Sequence, residues 1–374
     1  MKQDWELKQF EDCLEKVVYT KKIKRKNFLK NGEYPIISQE QDSINGYWDN
    51  QEDLFKLKKP VVIFGDHTQV LKYVDVDFVL GADGVKILQP KNDIAPRFFY
   101  YFLQNINLGS LGYARHYRLL KEIDVHYPKS LPEQKRIVAI LDKAFAAIAK
   151  AKTNAEQNLK NAKELFESYL QAVFSNGNNW EKKTLQQISK TFGRGKSKHR
   201  PRNFKGLYGG EYPFIQTGDI RNCDHFITKF TQTYNEAGLA QSKLWPAGTI
   251  CITIAANIAE TGILIFDACF PDSVIGIEVD EKFANRDFIE YLLQSFKVRI
   301  QALGKGSAQA NINLGTFKNE VFPFPHVIEQ QAIVKKLDAL SAEAKKLEAI
   351  YQQKVDDLDE LKKSVLQKAF NGEL

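Results

Sequence analysis

Lysine and arginine are concentrated in two segments that each lead into the same short motif, GEYP. The segment TKKIKRKNFLKNGEYP covers residues 20–35, and GRGKSKHRPRNFKGLYGGEYP covers residues 193–213. Lys and Arg neutralise phosphates, and Arg, Lys and Asn also bond the edges of guanine and adenine. Most charged runs are solvated surface loops, but recurrence ahead of the same motif favours binding of a nucleic acid. The candidate contacts here are Lys22, Lys24, Arg25, Lys26, Arg194, Lys196, Lys198, Arg200 and Arg202.

Other polar loops mix hydrogen-bond donors and acceptors with small residues, as contact with bases and phosphates requires. Their sequences are GDHTQV, GYARHYR, QTGD, AANIAE and GKGSAQANIN. Each is also compatible with an ordinary turn, so these assignments rest on loop position. The candidate contacts in these loops are Asp66, His67, Thr68, Gln69, Arg115, His116, Arg118, Gln216, Thr217, Asn257, Lys305, Ser307 and Gln309.

Motifs for catalysis are incomplete in this chain. GRGKS at residues 193–197 resembles the end of a phosphate-binding loop, but Lys190 stands where such a loop requires its first glycine. Asp272, followed by Asp280 and Lys282, matches a loose pattern of metal-dependent nucleases. The aligned positions in the first half of the chain lack these residues, and no two histidines are spaced as metal ligands. The sequence therefore predicts neither a catalytic residue nor a metal site.

Composition bounds the class of protein. The chain has 374 residues, of which 43% are hydrophobic and 26% charged, and its net charge is +7. This length suggests two or three domains, and the charge favours an anionic partner. The N-terminus does not resemble a signal peptide, and the four cysteines are too scattered for a disulfide framework, so a cytoplasmic protein is expected. The apolar run at 249–266 is interrupted by polar residues and predicts core strands rather than a membrane span.

One helix opening occurs twice. PEQKRIVAILD at residues 132–142 returns as IEQQAIVKKLD at 328–338, and the alignment continues without gaps to Phe174 and Phe370. Beyond the opening proline, neither segment contains Gly or Pro before it ends in SNG or NGEL, so each predicts a single long helix. The aligned identities include Glu133 and Glu329, Gln134 and Gln330, Asp142 and Asp338, Leu165 and Leu361, and Phe174 and Phe370.

Apolar residues recur along both helices at alternating steps of three and four, which is typical of a coiled-coil seam. In the first helix the pattern includes Tyr169, and in the second it slips near Tyr351 in the manner of a stutter. Because a long amphipathic helix is unstable alone in water, we expect the two to pair; the alternative is that each packs on its own domain. The predicted seam includes Leu141, Ile148, Leu159, Phe166, Leu337, Leu347, Leu358 and Val365.

The segments ahead of the two helices also resemble each other. GEYPII at residues 32–37 returns as GEYPFI at 210–215, and FFYYFLQ at 98–104 returns as FIEYLLQ at 288–294. Runs such as PVVIFG and GTICITI, which are rich in β-branched residues, are typical of short strands. Each half therefore predicts an α+β domain with a mainly antiparallel sheet and a short helix. The whole chain predicts a tandem duplication.

With this order of elements, the chain resembles a specificity subunit of a type I restriction-modification system over essentially its whole length. The resemblance rests on the paired GEYP motifs, the FFYYFLQ and FIEYLLQ helices, the two long helix openings and a Trp near the start of each half. It implies an α+β fold in which two tandem α/β target-recognition domains are separated by two long helices. These helices form an antiparallel coiled coil with pseudo-two-fold symmetry. The expected divisions are 1–130 and 177–326 for the recognition domains, and 131–176 and 327–374 for the spacer helices.

The resemblance also implies a role and a set of partners. Each recognition domain is expected to read one half of a bipartite, asymmetric site on double-stranded DNA. The coiled coil is expected to set the gap between the half-sites and to dock two methyltransferase subunits, which restriction subunits then join. No cofactor is expected in this chain, since S-adenosylmethionine, ATP and Mg²⁺ belong to the partner subunits. The recognition domains of this family vary freely, so no base-contact residue carries over by identity.

Three alternatives remain open from the sequence. One is an enzyme with its own active site, such as a nuclease or a restriction-modification fusion, and metal-dependent cleavage by the purified chain would favour it. Another is a coiled-coil scaffold whose globular ends bind protein, which predicts no salt-dependent binding of duplex DNA. The nearest alternative is the specificity subunit of a type IIB-like enzyme.

Overall fold

Two compact units make up the chain. The first unit consists of Met1–Gln157 together with Tyr351–Leu374, and the second consists of Asn158–Ile350. Within the described residues, no helix is both long and apolar enough to cross a bilayer. The computed structural model describes residues 4–82, 84–109, 111–112, 114–175, 177, 179–199, 201, 203–255, 257–303, 312 and 314–374.

The first unit combines a mixed sheet, an antiparallel sheet and a two-stranded pair. Its strands are β1 (Trp5–Gln9), β2 (Lys22–Ile23), β3 (Tyr34–Ile37), β4 (Gly46–Trp48), β5 (Leu54–Phe55), β6 (Val61–Gly65), β7 (Leu71–Val74), β8 (Phe78–Gly81), β9 (Val85–Leu88) and β10 (Asp124–Pro128). β8 lies parallel to β2 and β3 and antiparallel to β5, and β3 also pairs with β4. β6 lies antiparallel between β7 and β9, and β1 pairs with β10.

The second unit has a related but larger set of strands. They are β11 (Glu181–Thr184), β12 (Ser189–Arg194), β13 (Tyr208–Phe214), β14 (Phe226–Ile227), β15 (Gln232–Tyr234), β16 (Leu244–Trp245), β17 (Ile250–Thr253), β18 (Thr261–Leu264), β19 (Ala268–Cys269), β20 (Val274–Val279) and β21 (Val321–Phe324). One sheet has the order β12-β20-β17-β18-β14, another has the order β15-β13-β19-β16, and β11 pairs with β21. Only the β13-β19 and β14-β18 pairs of these described strands are parallel.

Short helices cover the sheets, and two long helices run through both units. The helices are α1 (Pro96–Asn105), α2 (Tyr117–Leu120), α3 (Leu131–Ser175), α4 (Thr217–Arg221), α5 (Glu236–Ala240), α6 (Arg286–Ser295), α7 (Lys297–Leu303), α8 (Leu314–Lys318) and α9 (Val327–Phe370). α1 buries Phe98, Phe99 and Phe102 on one face, against the core that holds Val62 and Phe64 of β6. The predicted α+β class, the mainly antiparallel sheets and the two long helices are confirmed.

In the first unit, the start of α3 and the end of α9 lie side by side and run in opposite directions. Lys152 Nζ lies 2.6 Å from Asp359 Oδ2, and Lys362 Nζ lies 5.2 Å from the centre of the Phe145 ring. Beyond the end of α9, Arg136 donates to the main-chain oxygen of Leu374 at 2.8 Å. The positions that approach each other thus increase along one helix and decrease along the other, as an antiparallel pair requires.

The predicted seam is largely covered. Leu141, Ile148 and Leu337 are buried. One prediction is wrong, because Tyr169 is 38% exposed while the adjacent Leu170 is 3% exposed. The end of α3 packs on the core of the second unit, so the face that is buried there follows that core rather than a helix seam. The other predicted seam residues are half-buried: Leu159, Phe166, Leu347, Leu358 and Val365.

The glutamine that is repeated in the two helix openings bonds the start of one short helix in each unit, α1 in the first and α6 in the second. Gln134 is fully buried; its Oε1 accepts from the backbone N–H of Ala95 (2.7 Å), and its Nε2 donates to the carbonyls of Asp93 (2.9 Å) and Pro128 (2.8 Å). Ala95 is the residue that precedes α1. The amide therefore orients the start of α1, because it satisfies backbone groups that have no other route to water.

The second unit repeats this arrangement with the second copy of the motif. Gln330 is also fully buried, and its Oε1 accepts from the backbone N–H of Asn285 (2.8 Å) while its Nε2 donates to the carbonyl of Pro325 (2.8 Å). Asn285 caps α6 by accepting from the backbone N–H of Phe288 (2.9 Å). The recurrence of a buried polar residue in both helix openings thus has a structural cause.

The repeated aromatic residues form matching contacts in the two units. In the first unit, the Phe98 ring lies 6.4 Å from Trp5 and 5.3 Å from Phe370 at the end of α9. In the second unit, the Phe288 ring lies 6.2 Å from Trp180 and 5.3 Å from Phe174 at the end of α3. Each domain is thus packed against the end of the long helix that does not directly follow it in sequence. This is why the aligned identity extends to Phe174 and Phe370.

The repeated aspartate also binds a tyrosine in both units, but the nearby cation differs. Asp142 accepts from the Tyr101 hydroxyl and from Arg97 Nε (2.9 Å), and the Arg97 guanidinium lies 5.7 Å from the Tyr101 ring. Asp338 accepts from the Tyr291 hydroxyl at 2.7 Å. Arginine stays charged throughout the physiological pH range, so Arg97 remains a cation beside Asp142 there.

A histidine occupies the corresponding place in the second unit. His225 stacks on the Tyr291 ring, with centres 4.6 Å apart, and its Nδ1 lies 2.6 Å from Glu290 Oε2, a residue with no exposed surface. Its Nε2 lies 3.3 Å from Asp287 Oδ1. Burial by itself lowers the pKa of His225, but hydrogen bonds to Asp287 and Glu290 raise this pKa to about 9. The imidazolium is therefore the stable form at neutral pH.

We expect the free energy of unfolding of the second unit to depend on pH through His225. The folded pKa of about 9 lies above the unfolded value, so the charged form stabilises the fold fully below about pH 6.5. This contribution, on the order of 3 kcal/mol, is lost as the pH rises through 9. Hydrogen exchange of α6 between pH 6.5 and 9.5, corrected for intrinsic rates, measures it.

Two comparisons isolate the histidine in that experiment. His225→Gln should remove the additional pH dependence of α6, whereas the pH dependence of α1, which contains Arg97, should be the same in both proteins. Equal pH dependence in α6 of the wild type and of the variant would assign the effect to another group. The acidic side chains that face His225 or its neighbours are Asp224, Glu260, Asp287, Glu290 and Asp338. The nearby cations are Arg286, Lys297 and Lys345.

Candidate nucleic-acid interface

The first basic segment lies at the edge of the mixed sheet. Ile23 in β2 is buried and its carbonyl accepts from the backbone N–H of Ala82 at 2.6 Å, which anchors the segment. Arg25 Nε lies 3.2 Å from Glu40 Oε1, yet the Arg25 side chain is 81% exposed. Burial of the apolar Ile23 side chain thus holds the segment on the sheet, while the side chains of the neighbouring cations remain in solvent. The exposed predicted residues here are Lys22, Lys24, Arg25 and Lys26.

Two loops that are fifty positions apart in sequence meet in the first unit. Asp66 accepts from the backbone N–H of Tyr117 through Oδ1 (2.8 Å), and its carbonyl accepts from the backbone N–H of His116 (2.7 Å). Gln69, whose φ is 58°, donates through Nε2 to the carbonyl of Gly109 (2.8 Å). The polar residues of GDHTQV and GYARHYR therefore belong to one surface, which the sequence alone did not indicate.

Two predicted DNA contacts in this surface need correction. Asp66 is 3% exposed and His116 is 2% exposed, and both side chains lie inside the loop junction. Their hydrogen bonds hold the loops together, so we assign them a positioning role instead of a contact role. Thr68, Arg115 and Arg118 are exposed, whereas His67 and Gln69 are half-buried.

The second basic segment follows β12 and is held by two side chains. Gln241 Oε1 accepts from the backbone N–H groups of Lys198 (2.6 Å) and His199 (3.0 Å), and the Ser242 hydroxyl donates to the carbonyl of Lys196 (2.7 Å). Both lysine side chains are exposed. The backbone is thus fixed from one side while the cations remain available to an anion.

The remaining predicted contacts are distributed over the second unit. Arg194 is exposed and donates to the carbonyl of Ile312 at 3.3 Å, and Asn257 is half-buried with its carbonyl bonded to the Thr253 hydroxyl. Gln216 and Thr217 line a recess beside the second basic segment. Five predicted contacts lie outside the described residues: Arg200, Arg202, Lys305, Ser307 and Gln309.

The same recess contains polar residues that sequence reasoning missed. Asn203 and Lys205 lie in the second basic segment, so the sequence carried a signal for them. Gln232 lies in β15, where no motif or charge run marks it. The fold brings these residues next to Gln216 and Thr217, and only the fold could have identified Gln232.

Both halves of the duplicated chain match the same known family. A family model described as the type I restriction modification DNA specificity domain matches residues 2–159 and 177–355, one copy for each half. The chain belongs to this family. The predicted identity as a type I specificity subunit, without catalysis of its own, is thereby confirmed.

Individual members of the family support the same assignment. The chain is 27% identical over 342 residues to the specificity subunit of the Escherichia coli type I restriction enzyme EcoR124I/EcoR124II, covering 84% of this chain and 81% of that protein. It is 24% identical over 371 residues to the EcoBI specificity subunit of Escherichia coli, covering 88% and 75% of the two chains.

Solved structures share the fold. A chain from a structural study of complex assembly and conformational transition in a type I R-M system superposes with a TM-score of 0.79 at 17% identity, covering 100% of this chain and 99% of that one. The HsdS subunit from Thermoanaerobacter tengcongensis gives a TM-score of 0.60 at 16% identity, covering 100% and 98%. At these identities the likeness describes the architecture and not the residues that read DNA.

Proposed function

We propose that this specificity subunit reads double-stranded DNA in the cytoplasm, with each unit recognising one half of a bipartite, asymmetric site. The observation that carries the proposal is the exposed basic segment that precedes the GEYP strand in both units, which is β3 in the first unit and β13 in the second. A protein scaffold has no need for matched cations in both units. We retain the division into recognition domains 1–130 and 177–326 and spacer helices 131–176 and 327–374.

The exposed residues suggest how each unit engages a duplex. Lys and Arg side chains release counterions when they neutralise phosphates, so they supply affinity and fix the register of the protein on DNA. Amide and hydroxyl side chains from the neighbouring loops then read base edges. Different loop residues in the two units give two different half-sites, which makes the complete site asymmetric.

The long helices are proposed to set the gap between the half-sites. α3 contains 45 residues and α9 contains 44, and a helix of this length extends about 65 Å at about 1.5 Å per residue. This corresponds to about 19 base pairs of B-DNA and is an upper limit for the separation of the half-site centres. A continuous helix resists bending, so the gap is expected to have one fixed length.

The aligned leucines Leu165 and Leu361 support docking of two copies of one partner. They are 45% and 47% exposed. A single exposed leucine is ordinary, but an equal exposure at the same position of both repeats is not explained by the fold of either unit. We propose that each leucine contacts one methyltransferase subunit, that restriction subunits join this complex, and that S-adenosylmethionine, ATP and Mg²⁺ are bound by those partners.

Substitution of these leucines should change the number of methyltransferase subunits bound. Leu165→Glu and Leu361→Glu should each reduce the complex from two methyltransferase subunits to one, and the double variant should bind none, because each glutamate places a charge in an apolar contact. Native mass spectrometry counts the subunits. Lys163→Glu, on another face of α3, is the matched control. Two bound subunits in the double variant would contradict this docking site.

The proposed DNA-reading function is tested by co-expression with the cognate adenine methyltransferase subunit. Methylated adenines are then mapped across the host genome by single-molecule sequencing. One bipartite motif with a fixed gap is the expected result. Methylation without a split motif, or no methylation by a folded complex, would reject the proposal and favour a scaffold.

A further inference from the structure

A recess opens in the second unit beside the second basic segment, with a volume of about 500 Å³. Its walls include the rings of Tyr208 and Phe214 and the amides of Asn203, Gln216 and Gln232. Lys205 stands at the same recess, and no carboxylate of the described residues lines it. Amide side chains and a cation, without a carboxylate beside them, are together suited to base edges and a phosphate.

The aromatic wall is rigid because other rings hold it. Phe214 stacks on Tyr234 with ring centres 4.0 Å apart, and Tyr208 lies 5.2 Å from the same ring. Tyr234 is fully buried. A preorganised wall matters because base reading requires that the reading groups keep their positions when DNA arrives.

The backbone that leads to Ser197, another residue of the recess, is also constrained. Gly195 and Lys196 donate from their backbone N–H groups to the carbonyls of Val274 (2.9 Å) and Phe270 (3.0 Å). A Cβ at Gly195 would lie 2.2 Å from the Phe270 carbonyl oxygen, so only glycine allows this approach. The basic segment is thereby held against Pro271, another residue of the recess.

The aligned positions in the first unit carry different residues, which favours a role in sequence discrimination. The residue aligned with Gln216 is Ser38, which is 3% exposed, and the residue aligned with Thr217 is Gln39. Gln39 is engaged by the GDHTQV loop: its Oε1 accepts from the backbone N–H of His67 (3.2 Å), and its carbonyl accepts from the Thr68 hydroxyl (2.7 Å). The pair Gln216 and Thr217 is therefore not repeated at the aligned positions of the first unit.

We propose that this recess reads one base pair of the half-site recognised by the second unit, and that Asn203, Gln216 and Gln232 determine which base is accepted. The inference rests on the proposed DNA-reading function. A carboxamide pairs with N6 and N7 of adenine, so an A·T pair is the expected target. Lys205 contributes a phosphate contact at the rim, which carries no sequence information.

The test uses Asn203→Ala, Gln232→Ala and Gln232→Glu in the complete chain, co-expressed with the methyltransferase subunit. The alanine variants should reduce discrimination at one base pair of the second half-site by about tenfold or more. Gln232→Glu should shift the preference at that position toward cytosine, whose amino group donates to a carboxylate. The other half-site and the gap should stay unchanged.

Controls separate this inference from the function on which it rests. Gln186→Ala, an exposed glutamine of the same unit, should leave the motif unchanged. Lys205→Ala should weaken binding of all duplexes alike without changing the motif. An unaltered motif in all three recess variants would overturn the base-reading role while leaving the function intact. Failure of the wild-type protein to give a split motif would instead reject the function itself.

Discussion

Replacing Gln134 with leucine should lower the free energy of unfolding of the first unit by about 3 kcal/mol or more. The side chain volumes are similar, so the cost arises from hydrogen bonding rather than from a cavity. The substitution leaves the N–H of Ala95 and the carbonyls of Asp93 and Pro128 without the buried amide. Each unsatisfied buried group costs about 1–3 kcal/mol. Urea denaturation of the full chain, followed by tryptophan fluorescence, measures the loss.

A neighbouring substitution provides the control for this experiment. Lys135→Leu introduces the same side chain one position later, at an exposed site, and should change the stability little. Gln330→Leu should produce a smaller loss in the second unit, because it leaves the backbone groups of Asn285 and Pro325 unpaired. If Gln134→Leu were as stable as Lys135→Leu, the buried amide would not be what fastens α1 to α3.

The long helices were predictable, whereas the reason for their repeated opening was not. The apolar period and the absence of Gly and Pro are local signals, and they place α3 and α9 correctly. Gln134 lies on the same face as Ile137 and Leu141, where a polar residue contradicts the apolar pattern. Its function depends on Ala95 and Asp93, which are some forty positions away. A single sequence does not indicate which distant backbone groups such a side chain satisfies.

The candidate interface was predictable to a similar extent. Runs of Lys and Arg marked exposed segments because charge is costly to bury, and Lys196 and Lys198 are exposed as expected. The same reasoning failed for Asp66 and His116, whose polar side chains are buried because they bond neighbouring loops. Gln232 was missed because it faces the recess only after β15 pairs with β13. Convergence of distant loops therefore limits what residue type and spacing reveal.

Removing one heptad from both long helices should shorten the gap in the DNA site by about 3 base pairs without changing either half-site. The contacts Phe145 with Lys362 and Lys152 with Asp359 define the register, so residues 149–155 face residues 355–361. Deleting both segments preserves the seven-residue pattern of apolar positions. It removes about 10 Å of helix at about 1.5 Å per residue, and B-DNA rises about 3.4 Å per base pair. Methylome sequencing of cells that contain the variant and the methyltransferase subunit reports the gap directly.

Deleting residues 149–155 from α3 alone is the informative control for that prediction. It leaves 355–361 of α9 without a facing segment, so apolar positions of the pair no longer match and methylation should be lost together with stability. The double deletion restores the match, which separates a change in length from general damage to the helices. An unchanged gap in an active double variant would show that the helices do not set the spacing. Altered half-sites with an unchanged gap would show that the helical segments take part in reading the DNA sequence and do not set the gap.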